Sequence, residues 1–228
     1  MRLTGRLMAG GLMLAAALLP AGGGQAAEAE AAAGAAGPVT IVALGDSLTA
    51  GFGLAPGQGF PARLQAALKA RGHDVTVVDA GVSGDTTAGG LARLDWSVGP
   101  EADGVIVELG ANDALRGQDP ARTRDNLDAI LTRLAARRLP VLLAGMRAPR
   151  NMGADYAARF DALYPELAAA RGVALYPFFL AGVAADPALN LPDGLHPTAA
   201  GIDIIVAGIL PQAEALVAAA EARRAAGP

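Results

Sequence analysis

Between Val39 and Tyr176 the chain repeats one pattern: a short unbroken apolar run, then a longer stretch with apolar residues at helical spacing. Short unbroken runs are the mark of strands covered on both faces. Val39–Leu44, Val75–Val78, Gly104–Leu109, Val141–Ala144 and Val173–Tyr176 are therefore expected as strands. Phe60–Arg71, Pro120–Arg138, Ala154–Arg171 and Thr198–Ala220 are expected as helices. Gly72 stops the first of these, and the last is expected to break or kink near Pro211. Strands and helices in alternation bury their apolar faces best in a parallel sheet with helices on both sides. Right-handed crossovers narrow the topologies further. The expected fold is α/β: a three-layer α/β/α sandwich around a flavodoxin-like, parallel five-stranded sheet. In such sheets ligands bind outside the carboxyl ends of the strands, so the chemistry should sit just after each strand.

The N-terminus reads differently. Arg2 and Arg6 flank a short apolar core, Leu7–Leu19, and small residues follow from Ala21 to Ala27. This is the layout of a secretory signal peptide, and the core is shorter than the roughly 20 apolar residues that span a bilayer. Residues 1–27 are expected to be that signal, cut near Ala26 or Ala27. Residues 28–37, an Ala/Gly/Glu stretch without periodicity, are expected to be a disordered linker. The folded domain is then 38–228, exported to the periplasm or the medium of a bacterium.

Composition removes several classes of function. The chain has no cysteine and two histidines. That excludes disulfides, a thiol nucleophile, iron–sulfur clusters and a lipid anchor on cysteine, and it argues against a multi-histidine metal site. No metal and no cofactor is expected. Aromatic residues are 4%, the net charge is −4, and no basic run tracks a phosphate backbone, so nucleic acid is not an expected partner. The expected partner is a small molecule, with no protein partner implied and no stable membrane anchor after processing.

Four segments that follow strands carry reactive groups. Ser47 stands directly after the first strand in Gly45-Asp46-Ser47-Leu48-Thr49. A serine hydroxyl is a nucleophile when a base takes its proton; alone, a serine there is equally a helix cap. Thr49 occupies the place of the second glycine of a G-x-S-x-G elbow, so that motif does not apply. In Leu191-Pro192-Asp193-Gly194-Leu195-His196-Pro197, an aspartate precedes a histidine by three residues in a Gly/Pro turn. Such a turn can bring the carboxylate to one ring nitrogen and leave the other for a serine. Asn112, in Gly110-Ala111-Asn112-Asp113, offers uncharged N–H donors of the kind that stabilise a forming oxyanion. Gly84, in Gly81-Val82-Ser83-Gly84-Asp85-Thr86, can present its backbone N–H closely because it has no side chain; the following helix is expected to be capped by Asp85 or Thr86. His73 is the rival base, but it lies between a helix and a strand, at the opposite end of the sheet.

These segments together resemble the SGNH (GDSL) hydrolases. GDSLT at Gly45–Thr49, GVSGDT at Gly81–Thr86, GANDALRG at Gly110–Gly117 and DGLHP at Asp193–Pro197 match the family's four blocks in order. The likeness runs from Val39 to about Val217 and is strongest toward the bacterial periplasmic acyl-CoA thioesterase, lysophospholipase and arylesterase group. It implies Ser47 as nucleophile, His196 as base and Asp193 as its partner. It also implies an oxyanion hole made by the backbone N–H groups of Ser47 and Gly84 and the Asn112 side chain. Asp79 is a departure, since many relatives have asparagine there.

The function expected is hydrolysis of carboxylic esters or thioesters through an acyl-enzyme. Leu115, Met146, Ala148, Pro149 and Leu191 are expected to line the acyl site, from their positions after strands. Arg116 and Arg147 are candidates to meet a charged head group, or simply solvated arginines. Two enzyme alternatives use the same residues, an acyltransferase and a carbohydrate acetylesterase. A non-catalytic lipid- or carbohydrate-binding module would not need the complete set.

Overall fold

The computed structural model describes Met1 and residues 37–227. The expected signal peptide, apart from Met1, and almost all of the expected linker lie outside the described residues.

Five parallel strands form one sheet: β1 (Val39–Gly45), β2 (Val75–Gly81), β3 (Gly104–Glu108), β4 (Val141–Ala144) and β5 (Ala174–Tyr176). Their order is β2-β1-β3-β4-β5, the flavodoxin-like order expected. The helices are α1 (Ser47–Ala50), α2 (Phe60–Ala70), α3 (Thr87–Ala92), α4 (Leu94–Ser97), α5 (Ala111–Leu115), α6 (Pro120–Ala136), α7 (Ala154–Arg171) and α8 (Ala199–Ala226). Helix α2 packs on α8 in one layer, and α6 packs on α3 and α7 in the other.

Burial explains why the central strands were readable. Every residue of β3 and β4 is buried, as is all of β1 but Thr40. The edge strand β2 alternates at first instead, and none of its last four residues is fully buried. It still runs to Gly81, three residues beyond the expected end, because its pairing with β1 continues through Ala43–Asp79 and Leu44–Ala80 to Gly45–Gly81. Conversely, β3 stops at Glu108 and β5 starts at Ala174, one residue short of expectation in each case.

Helix α8 is not interrupted at Pro211 and extends to Ala226. Proline removes one helical hydrogen bond. Here Ile205, Ile209, Ala213, Leu216 and Val217 are buried on both sides of it, so tertiary packing holds the helix through that gap. By length and composition α8 is apolar enough to cross a membrane, but these residues belong to the protein core.

The register sets the site. Gly81, Gly45, Glu108, Ala144 and Tyr176 form one row across the carboxyl edge of the sheet. Chain order reverses between β1 and β3, which makes this the switch point where such sheets bind ligands. Ser47 follows β1 there, Gly84 follows β2 and Asn112 follows β3.

Candidate active site

Asp46 and Ser47 begin α1, a single turn. The Asp46 carboxylate caps it by accepting the Leu48 N–H at 3.0 Å. Gly45 is needed just before it. A Cβ there would lie 1.9 Å from Thr49 Oγ1 and 2.8 Å from Glu108 Oε2. The turn therefore winds tightly over the end of β3, and Ser47 is held at its start.

The histidine arrives from the far end of the chain. A narrow loop precedes α8, closed by Leu191 N–H to His196 O at 2.7 Å and Thr198 N–H to Leu189 O at 2.8 Å. Buried Asn190 ties that loop down by donating to the Val183 and Asp186 carbonyls at 2.7 and 2.8 Å. Within it, Asp193 Oδ2 lies 2.7 Å from His196 Nδ1. His196 Nε2 lies 2.9 Å from Ser47 Oγ, across 149 residues of sequence. The three side chains form one hydrogen-bonded line.

Asp193 is held as an anion although it is half-exposed. Its Oδ1 accepts the backbone N–H groups of His196 and Leu195 at 3.0 and 2.9 Å. Those bonds, with the imidazole on Oδ2, depress its pKa to about 2. The carboxylate therefore stays charged beside Nδ1 at every pH near neutrality, and it loses that charge only as pH falls through about 2.

Gly84 sits in a turn closed by Asp85 N–H to Val82 O at 3.0 Å. Its φ of +84° is one that a residue with a side chain rarely adopts. Its carbonyl accepts Arg116 Nη2 at 2.8 Å. The N–H groups of Gly84 and Ser47 have no acceptor among the described residues. Asn112 Nδ2 donates one hydrogen to Asp46 Oδ2 at 3.1 Å and keeps a second. Ser47, Gly84, Asn112 and His196 line one cavity of about 660 Å³.

The rest of that cavity is mainly apolar. Leu115, Met146, Ala148 and Pro149 line it as expected. Leu191 does not. Its side chain turns toward Gly53, and it borders a smaller depression with Pro187 and Pro192. Its backbone is fixed by closure of the histidine loop, which directs Leu195 into the cavity instead. Phe52, Phe178 and Leu180 also line it, and the Phe52 ring lies 4.5 Å from the His196 ring. Arg147 lines it too and stacks over Phe178 at 4.8 Å.

His73 precedes β2 at the opposite edge of the sheet, 3.6 Å from Glu214 of α8. Asp79 accepts the Gly81 N–H at 2.9 Å, so its partner is its own strand end and not the site. Thr86, not Asp85, caps α3.

Several supporting residues were not anticipated. Arg93 donates to the Gly45 and Ala80 carbonyls, each at 2.8 Å, and pairs with Asp85 at 2.6 Å. One guanidinium thus joins the ends of β1 and β2 to the turn that carries Gly84. Two carboxyl groups lie beneath Ser47. Asp46 is fully buried, and burial lifts its pKa to about 6 despite the bonds from Leu48 and Asn112. Glu108 accepts Thr49 Oγ1 at 2.8 Å; burial, followed by the charge of Asp46, holds its pKa well above the usual carboxyl range. Buried Asp113 accepts the Thr87 N–H at 2.8 Å and Thr87 Oγ1 at 2.5 Å, which fixes α5 against α3.

Known proteins share this frame. The chain is 40% identical to Esterase TesA of Pseudomonas aeruginosa over 179 residues, which cover 78% of this chain and 89% of the relative. It is 40% identical to thioesterase 1/protease 1/lysophospholipase L1 of Escherichia coli K12 over 159 residues, covering 69% and 75%. The crystal structure of AlinE4, an SGNH-hydrolase family esterase, superposes with a TM-score of 0.68 at 46% identity, covering 78% of this chain and 96% of that one. The sequence profile of the GDSL-like Lipase/Acylhydrolase family matches residues 43–204, from the strand before Ser47 to the helix after His196. A match that spans the sheet and encloses all the residues lining the cavity means that this chain belongs to that family.

Proposed function

We propose that the protein hydrolyses carboxylic esters and thioesters through an acyl-enzyme on Ser47. The observation that carries this reading is the unbroken line from Asp193 through His196 to Ser47, ending in an apolar cavity. In the first half-reaction Ser47 Oγ attacks the acyl carbonyl and its proton passes to His196 Nε2. The carbonyl oxygen gains the negative charge, and the spare hydrogens of Ser47 N, Gly84 N and Asn112 Nδ2 receive it. His196 then gives the proton to the departing alcohol or thiol. In the second half a water attacks the acyl-enzyme, His196 takes its proton, and the acid leaves as Ser47 recovers its own. Asp193 stays an anion throughout and stabilises the imidazolium.

The acyl chain lies along Leu115, Met146, Ala148, Pro149, Phe178 and Leu180. A groove of this kind separates neighbouring chain lengths by about 1–3 kcal/mol per methylene, so the acyl preference is broad. A panel of p-nitrophenyl and acyl-CoA esters of increasing length tests the reading. The expected result is hydrolysis across a range of chain lengths, with a gradual optimum. No hydrolysis of any member contradicts it. Asn112→Ala is expected to lower kcat by about 10²–10³-fold with little change in KM, because its bond strengthens as the oxyanion forms. A change confined to KM contradicts the oxyanion role.

We also propose that residues 1–27 export the domain and are removed. The charged, apolar and small-residue order of that segment supports this. Sequencing the N-terminus of the protein from a periplasmic fraction is expected to find a start at or near Glu28. A periplasmic protein beginning at Met1 contradicts cleavage.

A further inference from the structure

The proposed reaction makes no direct use of Asp46, yet Asp46 touches two of its parts. It is fully buried, one residue before the nucleophile. Its two oxygens are divided between two tasks. Oδ1 caps the turn that begins with Ser47, through Leu48 N–H at 3.0 Å, and Oδ2 accepts Asn112 Nδ2 at 3.1 Å, across 66 residues of sequence.

The second bond carries chemical information. The two ends of a primary amide have nearly the same shape and differ in that one donates and the other accepts. Packing alone fits Asn112 equally well with its ends exchanged. In one orientation it offers the cavity an N–H; in the other it turns a carbonyl oxygen toward the place where negative charge develops. Only a partner of fixed polarity chooses between them. Asp46, ionised above about pH 6, is an acceptor and nothing else. Glu108 receives the Asp46 backbone N–H at 3.5 Å and Thr49 Oγ1 at 2.8 Å, and its Oε1 has no partner. Burial, followed by the charge of Asp46, holds the pKa of Glu108 well above the usual carboxyl range.

We infer that Asp46 is a positioning residue: its carboxylate orients the Asn112 amide so that Nδ2–H faces the acyl oxygen. This rests on the ester-hydrolase reading and extends it to a residue that touches no substrate.

Two substitutions separate orientation from capping. Asp46→Ser keeps a short oxygen that caps α1 but withdraws the acceptor from Asn112. Asp46→Asn keeps the shape. Its carbonyl remains on the Leu48 N–H, so its NH₂ faces Asn112 and forces that amide to exchange its ends. Asp46→Asn is expected to lower kcat about 100-fold and Asp46→Ser about 10-fold, both with KM within about threefold, because the donor is lost from the transition state alone. Added to Asn112→Ala, either substitution is expected to cost no more than about a further twofold, since the two residues act as one unit. Unchanged kcat in both single variants overturns the inference, and so does a full additional loss in the Asn112→Ala background. A reading that needs no variant is solvent exchange of the Asn112 side-chain amide in the wild-type protein. One of its two protons is expected to exchange slowly, on Asp46, and equally rapid exchange of both overturns the inference. If the wild-type protein hydrolyses no ester, it is the underlying reading that fails, and the amide exchange still decides the orientation by itself.

Discussion

Ser47→Ala is expected to lower kcat for ester hydrolysis by about 10⁴–10⁶-fold, the range seen when the nucleophile of a coupled triad is removed. The loss is large because the hydroxyl starts both half-reactions. Without it no covalent acyl-enzyme forms, and His196 has no proton to take at 2.9 Å. The fold should survive. Ser47 contributes no cap to its turn, since the Asp46 side chain does that, and its side chain fills little of the core. The residual rate reports what the remaining N–H groups and the apolar cavity achieve for a water attack. Matched melting temperatures with collapsed kcat are the expected pair of results, read by calorimetry and by p-nitrophenyl ester turnover.

Asp193→Asn is expected to cost about 10⁴-fold in kcat, the scale known for a triad acid replaced by its amide. The structure explains why an isosteric change is so damaging here. Oδ1 accepts two backbone N–H groups, from Leu195 and His196, so the amide oxygen of the new asparagine is held on that side. Its NH₂ must then face His196 Nδ1. Two donors cannot pair, so the imidazole loses the proton on Nδ1 and carries it on Nε2, the nitrogen that should receive the proton of Ser47. Asp193→Ala imposes no such tautomer and is expected to be no more damaging than Asp193→Asn. Measuring kcat for both variants at pH 8 checks the order; an asparagine variant within about tenfold of wild type contradicts the tautomer argument.

Both predictions concern residues legible in the sequence, because their spacing is local or their motif block is short. Asp193 and His196 lie three apart in one turn, and Ser47 follows a strand whose burial on both faces makes it an unbroken apolar run. The layer beneath was not legible. Asp46, Glu108 and Arg93 each have a partner 48–66 residues away, and such pairings exist only once the parallel register is formed. A buried carboxyl also looks like any other acid in a sequence. The short helices α1, α4 and α5 escaped for a different reason: a single turn of four or five residues carries no apolar periodicity. Pro211 signals a break in the sequence because the core residues that hold the helix on both sides of it are set by tertiary packing. Leu191 lies away from the cavity because the loop closed by its N–H on His196 O turns its side chain toward Gly53, and Leu195 lines the cavity in its place.

The central claim is that one hydroxyl, made nucleophilic by its neighbours, takes the acyl group. A fluorophosphonate reacts with such a hydroxyl and leaves a stable covalent mark, so peptide mass spectrometry after labelling tests the claim most directly. The expected result is one phosphonyl group per folded molecule, on Ser47, with ester hydrolysis lost in step and no labelling of the denatured chain. A label on any other residue, or full hydrolysis by a protein fully labelled at Ser47, would contradict it.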